Sequence, residues 1–210
     1  MQEPEILEIN VWTRGVVMDK EGRDVTFALA RAAQEEGKFV QAFDNYVDQP
    51  DRVNVPMRKY ARISAVEIED KYVYENHEPN IVVLVEESLL KGMNVLRGMR
   101  PGGTLIVNSH RPIADLVKFL PPHAPGTLRS FAVIHAERFA RRVMADFLGA
   151  EGASVRGGLG RGIAGPIIGA TARVGGFVSL DAVRKVVSDP AAAERGWESV
   201  QIRELGAATV

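Results

Sequence analysis

The residues best able to do chemistry in this 210-residue chain gather in "RGVVMDKEGRD", residues 14–24. Three bases, Arg14, Lys20 and Arg23, stand there with two glycines, Gly15 and Gly22, between a strand-like segment and a helical one. The chemistry would be anion binding, because free amides at a helix start and nearby cations together hold a phosphate or carboxylate. Topology favours the position too: ligands of open α/β sheets gather beyond the carboxyl ends of the strands. The plainer reading is a solvated loop whose acids, Asp19, Glu21 and Asp24, neutralise those bases. Val16, Val17 and Met18 leave no compact nest of small residues around a phosphate.

A second pattern is G-x-G-x-x-G at Gly160-Arg161-Gly162-Ile163-Ala164-Gly165. A stand-alone nucleotide-binding protein would use it, given a strand before, a helix after, and an acid for the ribose. Only the stub "ASVR" precedes it, and Asp181, at a suitable distance, falls in a first helical turn that favours an acid anyway.

Other chemistries lack their residues. There is no cysteine, which excludes disulfides, a thiolate nucleophile, and cysteine-held zinc or iron–sulfur centres within this chain. His77, His110, His123 and His135 show no metal-ligand spacing, and Ser88, Ser109 and Ser130 lie in no nucleophile elbow. His110, beside Arg111-Pro112, reads as a capping or packing residue. "RFARR" (138–142) reads as a solvated helix face or a subunit contact. No catalytic residue and no metal ligand are assigned. A formal net charge of −1 argues against a nucleic-acid partner. The acidic start is no secretory signal, and "IVVLV" (81–85) is too short to span a bilayer. A soluble, cytoplasmic protein is expected.

The elements that must position these residues follow from hydrophobic periodicity. Strands are expected at 5–12, 38–43, 57–64, 79–86, within 100–109, and at 127–135. Helices are expected at 23–36, 87–99 and 136–149, then around 166–173, 179–188 and 190–201. Continuous apolar strands such as "PNIVVLVE" are those buried on both faces of a parallel sheet. The class is α/β, with an open, mostly parallel Rossmann-like sheet, helices on both faces and a helical C-terminal portion. Residues 1–210 read as a single domain, which buries roughly 70% of its unfolded surface.

Five segments in order, "EINVWTRG…DVTFALARAAQEEGKFVQAF", "PMRKYARIS", "PNIVVLVEESLL", "GMRPGGTLIVNS" and "IIGATARVGGFVSLDAV", resemble the gamma subunit of 2-oxoacid:ferredoxin oxidoreductases. The likeness runs over residues 6–200. It implies oxidative decarboxylation of a 2-oxoacid by thiamine diphosphate, with electrons leaving through [4Fe–4S] clusters to ferredoxin and the acyl group usually passing to coenzyme A. It also implies that this chain holds no cofactor. Thiamine diphosphate, Mg and the clusters would sit on alpha-, beta- and delta-type partner subunits, while the gamma unit helps form the coenzyme A approach.

This chain departs from that family's pattern at two places. Where the first loop commonly reads G-R-G-G-Q-G, only Arg14-Gly15 match before "VVMDKEGRD". Ala164-Gly165 stand where an Asn-Thr pair often precedes a glycine-alanine helix that here runs Pro166, Ile167, Ile168, Gly169, Ala170. The resemblance therefore implies an atypical member whose residues 16–18 pack on a neighbouring subunit or fill a channel. A coenzyme A-independent enzyme, such as the oxalate-oxidising one, would suit. Contacts with a ligand or subunit are expected at Arg14, Gly15, Lys20, Gly22 and Arg23.

Overall fold

A computed structural model describes residues 6–45, 54–140 and 161–205. Seven strands form one sheet: β1 (Leu7–Arg14), β2 (Phe39–Asp44), β3 (Pro56–Ser64), β4 (Ile81–Leu84), β5 (Gly103–Asn108), β6 (Leu128–Ile134) and β7 (Gln201–Glu204). Their order is β2-β3-β1-β4-β5-β6-β7. The central strands β1, β4, β5 and β6 run parallel. β3 is antiparallel to β1, β2 to β3, and β7 to β6. The parallel character is thus confined to the middle. Every residue of β4 and β5 is buried, as their unbroken apolar runs require.

Alternation along the strands splits the core between two faces. Ile9, Val11, Val83, Ile106, Ala132 and Ile134 point to one face. There they meet α1 (Gly15–Glu35), α5 (Ala164–Gly175), α6 (Leu180–Val186) and α7 (Pro190–Ser199). Trp12, Val82, Leu84, Leu105, Val107 and Phe131 point to the other. Short helices cover that side: α2 (Leu89–Gly92), α3 (Ile113–Leu116) and α4 (Ala124–Thr127).

Four expectations need correction. The long helix expected over 87–99 is one turn, α2, because the chain is already extended at Met93 and left-handed at Gly98. A Cβ at Gly98 would lie 2.2 Å from the His77 carbonyl oxygen, so the chain packs too closely there for a continuing helix. The helix expected over 136–149 begins as a 3-10 turn, Ala136–Arg138, and residues 141–149 lie outside the described set. The last helix ends at Ser199 rather than 201, and β7 follows it as an added edge strand. The largest change is at α1, which starts at Gly15 rather than at residue 23.

Gly15 has φ +72°, a left-handed conformation that turns the chain from β1 directly into a helix, with no loop between. From there Met18, Glu21, Gly22, Val25, Thr26, Ala28, Leu29, Ala32 and Ala33 are buried at helical spacing. The far end of α1 is tied down by Glu36, whose carboxylate accepts from the Ser179 backbone N–H at 2.7 Å. Ser179 in turn caps α6 by accepting from the Ala182 N–H. The Ser179 amide, followed by the Lys38 ammonium, lowers the Glu36 pKa from 4.5 to about 2. A depressed folded-state pKa means this contribution to stability is present above about pH 4.5 and is lost as pH falls towards 2. The gap in melting temperature between wild type and Glu36→Gln is therefore full at neutral pH and closes across that acid window. A gap unchanged down to the window's lower end would contradict the assignment.

Candidate functional site

The carboxyl ends of β1, β4, β5 and β6 open on one side of the sheet, where the first residues after each strand converge. Asn108, at the end of β5, joins its neighbours. Its amide donates to the Val85 carbonyl at 3.1 Å and to the Glu137 carboxylate at 3.0 Å. Its oxygen accepts from the Ala136 N–H at 2.9 Å. One buried side chain thereby pins the ends of β4, β5 and β6. Next to it the Ser109 hydroxyl donates to the Glu87 carboxylate and accepts from the Arg111 N–H at 2.9 Å. Arg111 lies 2.9 Å from the other Glu87 oxygen.

Two cavities flank this network. One, of about 340 Å³, reaches from Met18 and Val85 past Glu86, Glu87 and Glu137 to Arg161. The other, of about 220 Å³, lies between Arg111, Arg138, Phe139 and Gln201. His110 and His135 line both, with ring centroids 6.3 Å apart. His110, read from sequence as a cap or packing residue, is exposed at this rim. The crevice thus offers carboxylates, imidazoles and guanidiniums to a visitor. Among the described residues no group of three or more His, Asp or Glu side chains is arranged to hold a metal ion.

Glu21 is the residue that sequence reading placed wrongly. It is 2% exposed, far from neutralising a base in solvent. Its two carboxylate oxygens accept from the backbone N–H groups of Gly162, Ile163 and Ala164 at 2.8, 3.1 and 2.8 Å. Those amides are the start of α5, where the glycine pattern would have cradled a pyrophosphate. A carboxylate from the chain itself fills the place. Gly162, at φ +71°, bends the backbone so that successive amides point at one acceptor. Asp181, the residue considered for a ribose, pairs instead with Arg184 at 2.9 Å. Gly160 and the "ASVR" stub lie outside the described residues.

The other expected contact residues fall on α1 and are not gathered around one point. Lys20 pairs with Asp24 one turn on, and Arg23 with Asp44 of β2. Gly22 faces inward: a Cβ there would sit 2.2 Å from the Thr13 methyl, so glycine lets α1 approach β1. Asp19 pairs with Lys59, which is 2% exposed. Met18 is buried in the core beneath α1, rather than offered whole to a neighbour; the side chains of Val16 and Val17 lie outside the described set. Arg14 and Gly15 are half-buried where β1 turns into α1. No side chain caps the start of α1, and the Gly15 N–H is held by the Val55 carbonyl at 3.2 Å.

A mixed sheet, parallel at its centre, with a crevice at the carboxyl edge and a helix start closed by an internal carboxylate, makes this an open-sheet α/β protein. The family model described as pyruvate ferredoxin/flavodoxin oxidoreductase matches residues 25–202, and the chain belongs to that family. The pyruvate/ketoisovalerate oxidoreductases common subunit gamma of Thermococcus litoralis is 30% identical over 174 residues, 82% of each chain. Pyruvate synthase subunit PorC of Thermotoga maritima is 29% identical, covering 84% of this chain and 86% of the relative. The crystal structure of pyruvate oxidoreductase subunit PORC from that organism matches with a TM-score of 0.67 at 27% identity, covering 95% of this chain and 99% of that one. The gamma subunit of an NADH-dependent phenylglyoxylate dehydrogenase from Aromatoleum evansii is 24% identical over 189 residues, 84% of this chain and 86% of that relative.

Proposed function

We propose that this chain is the gamma subunit of a thiamine diphosphate- and iron–sulfur-dependent 2-oxoacid:ferredoxin oxidoreductase, in which it shapes the complex and the approach of the acyl acceptor. The observation that carries the reading is the near end-to-end match to a solved pyruvate oxidoreductase subunit, 95% of one chain on 99% of the other. The residues fit a role beside the cofactors and do not fit holding them. With no cysteine, the thiolates of any [4Fe–4S] cluster must come from companion chains. The work left to this chain is packing, orientation and electrostatics.

Residues at the start of α1 make the contact. Arg14, next to the uncapped amides of that helix, meets an anionic ligand or an acidic surface of an alpha-, beta- or delta-type subunit. Arg23, more than half exposed beside Asp44, and Lys20, paired with Asp24, offer separate contact points further along α1. Neutralising Arg14 and Arg23 together lowers turnover of the assembled enzyme roughly tenfold or weakens assembly to the same degree, about 1.4 kcal/mol. It leaves the melting temperature of the isolated chain within about 2 °C. Unchanged kinetics and assembly would remove both residues from the site.

The substrate belongs to the 2-oxoacid class. The relatives' names alone span pyruvate, ketoisovalerate and phenylglyoxylate. In a pyruvate-like version the acyl group passes to coenzyme A, and in an oxalate version no acceptor is required. The sequence departure at Val16 and Val17, where the resemblance expects small residues, favours the second. Co-expressed partner subunits are assayed for 2-oxoacid-dependent reduction of ferredoxin, with and without this chain and with and without coenzyme A. Loss of turnover when the chain is omitted is expected. Strict coenzyme A dependence on every 2-oxoacid tried, with no turnover of oxalate, would discard the oxalate version, and full turnover without the chain would discard the proposal.

A further inference from the structure

The outer edge of β2 has no strand beside it among the described residues, yet it borders a groove of about 670 Å³. All six residues of β2 line this groove, opposite Ile68, Lys71, Val73 and Tyr74. Consecutive strand residues point to opposite faces, so a cavity touching every one of them runs along the strand's edge. The segment opposite is anchored to the sheet, because Gln41 and Arg62 both donate to the Asp70 carbonyl, at 2.9 and 3.1 Å. It carries Tyr72 and Tyr74, 86% and 83% exposed, while Phe39 at the head of β2 is 46% exposed. Large apolar rings left in water beside an unpaired edge mark an interaction surface.

Backbone geometry fixes the registers open to a partner strand. The Asn45 N–H donates to the Arg58 carbonyl at 3.0 Å. In the antiparallel ladder with β3, the residues exchanging bonds are therefore Phe43, Gln41 and Phe39 with Tyr60, Arg62 and Ser64. Val40, Ala42 and Asp44 then aim their N–H and C=O groups outward, while the Lys38 N–H just before the strand is already donated to the Ala33 carbonyl at 3.1 Å. The stretch "KFVQAFD" (38–44) reads symmetrically about Gln41. Folded antiparallel against itself about that residue, it sets Val40 opposite Ala42, both residues with outward backbone groups, and places Lys38 across from Asp44 at the ends. Phe39 meets Phe43, and Lys38 and Asp44, each already paired within its own chain with Glu36 and Arg23, face each other at both ends. Registers shifted by one residue oppose outward with inward groups. Those shifted by two lose both the aromatic and the charge pairing.

We infer that β2 is a self-complementary edge through which two copies of this chain join, antiparallel about a twofold axis at Gln41, into one continuous sheet. The Phe39–Phe43 pairs lie on the face where Phe43 already packs on Tyr60, with ring centroids 5.3 Å apart. Tyr74 of each copy, which lines the groove, stands beside the joined strands. An isologous contact of this kind closes on itself and leaves no free β2 edge to propagate.

Because the chain has no cysteine, one introduced thiol reads the register. Across the axis the two Gln41 Cα atoms would form a non-hydrogen-bonded pair at about 4.5 Å, within the ~4.4–6.8 Å span of a disulfide. Gln41→Cys, in the full chain and in the complex purified with it, is expected to give a self-crosslinked dimer under mild oxidation. Phe39→Cys alone, whose thiol faces position 43, is expected to give none. Ala42→Pro removes an outward N–H that β3 does not use, and an edge strand tolerates this. It raises the dimer dissociation constant by about a hundredfold in sedimentation velocity, with the melting curve of the dilute chain unchanged. A monomeric full chain in which Gln41→Cys does not self-crosslink, or crosslinking of that thiol only to a different polypeptide, would overturn the inference.

Discussion

Glu21→Ala lowers the melting temperature of this chain by about 10 °C, corresponding to roughly 3–5 kcal/mol for a domain of this size. The carboxylate accepts three backbone hydrogen bonds in a nearly water-free position. Deleting it leaves three amides at the start of α5 without an acceptor, and each unmet buried donor costs about 1–3 kcal/mol. Glu21→Gln keeps an acceptor oxygen but turns an amino group towards the same donors, so it falls between alanine and wild type. A second readout separates this role from simple packing. Vacated helix-start amides bind anions, so sulfate or phosphate in the millimolar range raises the melting temperature of Glu21→Ala by several degrees more than that of wild type. A variant that melts with wild type, or gains nothing from the anions, would show that the carboxylate is not the occupant of that site.

Replacing Gly169 by valine is expected to prevent folding or to cost more than about 4 kcal/mol. Gly169 lies on α5 where it crosses α7, and a Cβ there would be 1.8 Å from the Ala193 carbonyl oxygen and 3.0 Å from the Trp197 amide nitrogen. The facing Gly196 is equally confined, with a Cβ position 2.0 Å from the Pro166 carbonyl oxygen. Both obstacles are backbone, so no rotamer change relieves them and the helices would have to separate. Gly92→Ala is the internal control: no neighbour lies within 4 Å of its Cβ position, and the change is neutral or slightly stabilising. Soluble expression and thermal unfolding of both variants make the comparison. A well-folded Gly169→Val would mean that the two helices do not meet at this spacing.

The strands were legible in the sequence where the sheet is buried on both faces. "IVVL" and "GTLIVN" cannot be satisfied in any other layer. β7, "QIRE", was not legible because all four residues are exposed, and an edge strand needs no hydrophobic pattern. The start of α1 was missed for a different reason. Its buried stripe includes Glu21 and Gly22, a charge and a glycine, which pattern reading assigns to a loop. Their burial makes sense only from contacts distant in sequence: Glu21 with amides 141 to 143 positions away, and Gly22 with the Thr13 methyl. The glycine pattern at 160–165 did signal amides shaped for an anion, and no local reading could say that the anion was already supplied by the chain. At the carboxyl edge the sequence placed His110, but not its facing ring His135 or the bridging Asn108, since their meeting depends on the order in which β4, β5 and β6 lie side by side.

Purification of the affinity-tagged chain from its native source tests the central claim most directly, with identification of every co-purifying polypeptide and a visible absorption spectrum. The expected product is a brown complex containing a thiamine-binding chain and a cysteine-rich cluster-binding chain, which bleaches when its 2-oxoacid is added. A colourless chain recovered alone, able to oxidise a substrate unaided, would contradict the account.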